Sequence, residues 1–174
     1  LTRFYTLQGL AYMGLNDLEA AKDSLQLAIK NGQKDPAIYI YLAQSYFGLK
    51  DYQKTIDAIQ KAGNQVNKNP SLLSMKAESY WHLQDVNAAI NALNEGQRLF
   101  PADFRFQKRQ VFYFVELGLY QEAVRLGRDF LKRSKASVAD YIALGNALRL
   151  SKEYTEALNI LEVARLQFPN DEMV

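Results

Sequence analysis

The chain has 174 residues, 48% of them hydrophobic and 23% charged, with four prolines, nine glycines and no cysteine. That composition excludes a low-complexity or disordered chain, a disulfide-stapled one, and any thiolate metal site or cysteine nucleophile. The formal net charge is +2, so the chain as a whole requires no polyanionic partner, and no apolar run of about 18 residues marks a membrane-spanning helix.

One spacing recurs from start to end. Gly9, Ala43, Ala77, Val111 and Gly145 stand 34 residues apart. So do Tyr12, Tyr46, Tyr80, Phe114 and Leu148, and again Ala21, Thr55, Ala89, Ala123 and Ala157. Three sets with one period describe a supersecondary unit repeated five times, with a core that is a strip between neighbours. The expected repeats run over about 2–35, 36–69, 70–103, 104–137 and 138–171, with a sixth beginning at 172–174.

Within each repeat the spacing predicts a helix A of about 13 residues, a tight turn and a helix B of about 14. Asp35, Asn69, Asp103 and Ser137 are the expected N-caps of successive A helices, since their side-chain oxygens can accept from the free N–H groups of a first turn. Pro36 and Pro70 follow two of them, at the position where a missing N–H costs nothing. Asp17, Asp51, Asp85 and Glu153 open the B helices, where a carboxylate suits the positive dipole end; Leu119 is the exception. Leu18, Ala21, Leu25 and Ala28 show the apolar spacing of the first B helix. No alternating run suggests a strand. Small rungs on helix A, such as Gly9 and Gly145, are expected to let helix B approach at Ala21 and Ala157, while Tyr12, Tyr46, Tyr80, Tyr52, Tyr120 and Tyr154 fill the wedges.

This pattern resembles the tetratricopeptide repeat family, whose period is 34 residues. The fifth repeat carries it most fully, in Tyr141, Leu144, Gly145, Leu148, Tyr154, Ala157, Leu161, Ala164 and Pro169. The resemblance implies an all-α, right-handed superhelical solenoid of five helix-turn-helix repeats. The fourth repeat departs from it, with Gln107 and Gln110 at apolar positions, Val111 at the small rung, and Gly127 and Phe130 in place of Leu and Ala. Two readings stay open: a size swap, in which Gly127 makes room for Val111 and Phe130, or a surface remodelled for a partner. Asp171 falls at the N-cap position of the sixth repeat, so the array is expected to continue beyond both ends of the sequence.

Catalytic chemistry finds little support. His82 follows Glu78 by one helical turn, which is half of a metal or acid–base site, but no further ligand stands at matching spacing. No phosphate loop or nucleophile motif is present. No enzyme activity, cofactor or metal is expected.

The resemblance implies instead that the A helices line a concave groove. The positions one residue from the core rungs then face a partner: Thr6, Leu10 and Met13; Ile40, Gln44 and Phe47; Ser74, Glu78, Trp81 and His82; Lys108, Phe112 and Glu116; Ile142, Asn146 and Arg149. Such an apolar set with scattered charges suits an extended peptide or a helix, with Phe47 and Trp81 as anchors. The family's clamp for a chaperone C-terminal carboxylate is not expected, because Thr6, Leu10, Ser71 and Met75 stand where its Lys, Asn and Arg residues belong. Between Asp103 and Ala136 eight basic residues face four acidic ones. Arg125, Arg128 and Lys132 share a helix face there, a possible patch for an acidic partner or a glycan; a nucleic acid lacks the aromatic platform it would need. The expected role is a protein–protein interaction scaffold. The alternatives are a periplasmic module of a polysaccharide-export or outer-membrane assembly machine and a regulatory arm of an enzyme. The compartment, cytoplasmic or periplasmic, stays open.

Overall fold

A computed structural model describes residues 1–133 and 135–173. Among these residues there are ten α-helices, one 3₁₀ segment and no strand. The helices are α1 (Thr2–Gly14), α2 (Leu18–Lys30), α3 (Ala37–Gly48), α4 (Tyr52–Lys61), α5 (Pro70–His82), α6 (Val86–Leu99), α7 (Arg105–Glu116), α8 (Tyr120–Arg133), α9 (Val138–Leu150) and α10 (Tyr154–Gln167). The fold is all-α and of the helical-solenoid class. It comprises two compact units, Leu1–Phe100 and Pro101–Val174. In the first, each helix packs on the next from α1 to α6, and the A helices also touch, α1 with α3 and α3 with α5. In the second, α7 to α10 pack in the same succession and α7 touches α9. Val174, the last residue of the expected start of a sixth repeat at 172–174, lies outside the described residues.

The helix starts follow from their side chains. Asn69 accepts from the Ser71 and Leu72 N–H groups at 3.0 and 3.3 Å. Asp35 accepts from Ala37 at 2.9 Å and Asp103 from Arg105 at 3.2 Å. Asp171 makes the same contact with the Met173 N–H at 3.0 Å. At Ser137 the helper is Asp140, whose Oδ2 accepts from the Ser137 N–H and hydroxyl at 2.7 Å each. Asp17, Asp51 and Asp85 accept from Ala20, Lys54 and Ala88 at 3.0–3.2 Å. Glu153 makes no such cap.

The A–B turn holds a fourth series with the same period. Asn16, Lys50, Gln84, Gly118 and Lys152 all have positive φ, between 59° and 73°. Each ends its A helix in a Schellman motif. The N–H of the next residue (Asp17, Asp51, Asp85, Leu119 or Glu153) donates to the carbonyl of Tyr12, Tyr46, Tyr80, Phe114 or Leu148 at 2.8–2.9 Å. The residues that open the B helices therefore also close the A helices, which is why the turn is so short.

Helix α4 differs from the expected length. It stops at Lys61, because Gly63 adopts φ +58° and diverts the chain into a 3₁₀ segment, Gly63–Lys68, that Val66 anchors in the core. The small rungs also work one turn away from the expected place. A Cβ on Gly9 would lie 2.7 Å from Leu25 Cγ, and one on Gly145 would lie 2.8 Å from Leu161 Cδ2. The side chain that fills the space is thus four residues beyond Ala21 or Ala157. In the fourth repeat Leu144 of α9 takes the space over Gly127, 3.1 Å from where a Cβ would stand. Val111 and Phe130 are both buried and line, with Leu144, a residual cavity of about 40 Å³. Gly127 therefore admits a leucine from the next helix rather than the bulk of Val111 and Phe130 directly. Gln107 and Gln110 are buried in spite of their polarity.

Candidate protein-binding faces

In the first unit, α1, α3 and α5 carry the expected face. Leu10, Met13, Ile40, Gln44, Phe47, Glu78 and Trp81 are half-buried, and His82 is exposed. Thr6 is drawn inward: its hydroxyl donates to the Thr2 carbonyl at 3.0 Å and accepts from Gln33 Nε2 at 3.3 Å. Aromatic rings connect the ends of α3 and α5. Phe47 meets Tyr52 edge-on, with centroids 6.0 Å apart, and Tyr52 stacks on His82 at 4.3 Å with a 7° interplanar angle. Tyr52, read from the sequence as a wedge residue, instead supports two members of the face from the first turn of α4. His82 Nε2 lies 3.9 Å from Glu78 Oε1. Among the described residues no group of three His, Asp or Glu side chains could hold a metal ion.

The second unit presents a more polar face on α7 and α9. Phe112 is 49% exposed. Lys108 is exposed but bound, its Nζ 2.9 Å from Asp140 Oδ2 and 5.2 Å from the Phe130 ring centre. Ile142 and Asn146 are half-buried, and Arg149 donates to Asn146 Oδ1 at 2.8 Å. The basic trio on α8 is not held together as one free patch. Arg125 and Lys132 are exposed, while Arg128 is turned to Glu153 and Glu156 on the B helix of the next repeat, with nitrogen–oxygen distances of 2.6 Å to each. Two carboxylates thus offset the central charge of the three.

A cavity of about 320 Å³ was not foreseen. It opens over α3 between α2 and α4, with Tyr39, Leu42, Tyr46 and Ile29 among its lining residues. Gln26 Nε2 donates to Tyr46 Oη at 2.6 Å at its edge, and Lys54 and Lys61 stand 5.7 and 5.8 Å from the Tyr46 and Tyr39 ring centres. The sequence signal was faint: a pair of lysines two turns apart on α4, 8 and 22 residues from the tyrosines they approach.

Helices of this kind, stacked in pairs with one face half-open, bind by burying aromatic and aliphatic side chains and by pairing a few charges. The model of a family described as anaphase-promoting complex, cyclosome, subunit 3 matches residues 7–96. Among solved structures the chain is similar to a protein described as MamA, with a TM-score of 0.85 and 14% identity over 97% of this chain and 92% of that one. It is also similar to a tetratricopeptide repeat protein from Parabacteroides merdae, with a TM-score of 0.82 and 18% identity over 98% of this chain and 68% of that one. A third is YrrB, described as a tetratricopeptide repeat protein with an unusual peptide-binding site, with a TM-score of 0.75 and 17% identity over 95% of this chain and 86% of that one. No curated protein matches the chain by sequence.

Proposed function

The chain belongs to the tetratricopeptide-type family described as anaphase-promoting complex, cyclosome, subunit 3, and from that membership we propose that it is a protein-interaction scaffold whose A-helix faces take an apolar peptide. The observation that carries the reading is the openness of that face in the first unit. Leu10, Met13, Ile40, Phe47 and Trp81 sit on helices whose other side is packed core, yet none of the five is buried. Large apolar side chains kept half in water on a rigid support are what a partner needs in order to gain free energy by covering them. The repeat fold of YrrB, a protein whose description names a peptide-binding site, gives the reading independent support.

Polar residues on the same face define how such a segment would lie. Gln44 offers an amide to a peptide backbone, and Glu78 with His82 offers the one charged corner, at the end of α5. A peptide with apolar residues at regular spacing and a basic residue toward that corner fits best.

The test is selection from a displayed peptide library with the folded chain as bait. Winning peptides are then measured by calorimetry against wild type, Phe47→Ala, Leu10→Ala and Phe112→Ala. Enrichment of apolar peptides whose affinity falls by more than about tenfold with Phe47→Ala supports the reading, since a hot-spot truncation is worth about 2 kcal/mol or more. Peptides indifferent to both Phe47→Ala and Leu10→Ala would overturn it.

A further inference from the structure

The groove over α3, between the B helices α2 and α4, has its charges reversed relative to the corresponding grooves of the chain. In steps of 34 residues, Lys54 stands where Glu156 stands in the fifth repeat, and Lys61 where Glu95 stands in the third. Glu156 meets Arg128 at 2.6 Å, and Glu95 meets Lys76 at 3.4 Å. Those two grooves therefore each hold a cation and a carboxylate from the chain itself. Over α3 the equivalents of the two cations are Gln26 and Leu42, both neutral, and the equivalents of the two carboxylates are lysines. This is the groove in which the cavity of about 320 Å³ opens.

The two lysines differ in what surrounds them. Lys54 pairs with Asp51 at 2.7 Å. Among the described residues no carboxylate lies within 4.0 Å of Lys61 Nζ, which stands over the Tyr39 ring instead. Asp57 is the one carboxylate lining the cavity, and it accepts from Gln53 Nε2 at 3.2 Å. The Tyr39 hydroxyl has no hydrogen-bond partner among the described residues, so it is a second donor at the same rim. Below them Leu42 and Ala58, both buried, give the cavity an apolar floor. An apolar hollow with a cation and a hydroxyl donor at its edge fits a large apolar side chain that carries a carboxylate beside it.

We propose that the groove between α2 and α4 docks an acidic peptide segment of a partner protein. One apolar side chain of the segment fills the hollow over Leu42 and Ala58, and a neighbouring carboxylate pairs with Lys61. The partner thus supplies the charge that Glu95 supplies from within the chain at the equivalent place. The site is separate from the A-helix face, because none of its lining residues belongs to that set. Its ligand also differs in sign from the basic residue that the Glu78 corner favours.

A displayed library of random short peptides tests this on the whole chain. Peptides that bind wild type are depleted on Lys61→Glu, and the survivors are sequenced and measured by calorimetry. Lys61 is exposed, so the change leaves the core intact, and circular dichroism checks the fold. Lys61→Gln, which removes the charge without reversing it, serves as the milder variant. The survivors should carry Asp or Glu beside a large apolar residue. Their affinity should fall by more than about tenfold with Lys61→Glu and stay unchanged with Phe47→Ala. The decisive arm exchanges the charges: a peptide with Lys in place of its acidic residue should bind Lys61→Glu better than wild type. A general disturbance of α4 would not produce that rescue. The proposal is overturned if depletion leaves no peptide, if the survivors lack an acidic residue, or if the exchanged pair shows no rescue. Failure of the A-helix reading is distinct, since it appears as indifference to Phe47→Ala among the peptides that depletion removes.

Discussion

Arg128 on α8 holds Glu156 on α10 through two nitrogens, Nε at 2.8 Å and Nη2 at 2.6 Å. The same Nη2 lies 2.6 Å from Glu153 Oε2. The fork therefore ties together two B helices that are separated in the chain by α9. Glu153 also accepts from the Ser151 hydroxyl at 3.0 Å and from Gln121 at 3.3 Å. With its carboxylate engaged in this way, it leaves the first turn of α10 without a side-chain cap.

Arg128, first of all, and then Ser151 hold the Glu153 carboxyl below its ordinary range. A carboxylate with a lowered folded-state pKa contributes stability above its unfolded pKa, about 4.3, and loses it as pH falls through the folded value. Arg128→Gln should therefore lower the urea midpoint at neutral pH, and the gap to wild type should close in acid, below that unfolded value. The groups are partly exposed, so the neutral-pH gap is small and shrinks with salt. A gap that stays constant from neutral pH down into acid would show that the ion pair is not its origin.

Two glycines on α1 should respond in opposite directions to the same substitution. A methyl on Gly9 would press to 2.7 Å from Leu25 Cγ and 3.2 Å from the Ala21 carbonyl, whereas nothing lies within 4 Å of one on Gly14. Gly9→Ala should cost about 1–3 kcal/mol through overpacking. Gly14→Ala should add about 0.5–1 kcal/mol by restricting the unfolded chain. Paired denaturation curves read both; destabilisation of similar size at the two sites would contradict the close approach of α1 and α2.

The left-handed turn residues offer a gain in stability. A non-glycine residue there costs about 1–2 kcal/mol, of which glycine's own entropy would return about 0.5–1. Lys50→Gly should thus stabilise by roughly 0.5–1 kcal/mol, and Gly118→Lys should destabilise by a similar amount. In the fourth repeat Leu119 occupies the capping place with no side-chain oxygen. Leu119→Asp should add about 1 kcal/mol, the usual worth of a cap. Thermal melts of the three variants distinguish these signs.

How much of this was legible depends on whether chemistry or backbone carried the signal. Asp35, Asn69 and Asp103 recur as oxygen-bearing side chains, so the helix starts could be read directly. Asn16, Lys50, Gln84 and Lys152 share no side-chain chemistry, only a backbone angle, and so their series stayed hidden beside Gly118. Leu10, Phe47 and Phe112 were assigned to the A-helix faces from the family resemblance; Leu10 and Phe47 are half-buried and Phe112 is exposed. Arg128 read as part of a free basic patch because its carboxylates stand 25 and 28 residues away, outside any helical spacing. Leu25 and Leu161 were missed as partners of the small rungs because matching alanine to glycine looked sufficient, whereas close-packed helices place a larger side chain over the gap.

Two phenylalanines on α7 separate packing from display. Phe106 is 0% exposed, and Phe112, nearly two turns on, is 49% exposed. Phe106→Ala removes a fully buried ring and should cost about 3–5 kcal/mol. Phe112→Ala touches a surface residue and should change stability by no more than about 0.5 kcal/mol. A ring that contributes so little to folding yet stands on the A-helix face is one whose apolar surface a partner can still cover. A measured loss for Phe112→Ala comparable to that of Phe106→Ala would place Phe112 in the core and remove it from the binding face. Near-neutral stability together with weakened binding of a selected peptide would assign it to the partner.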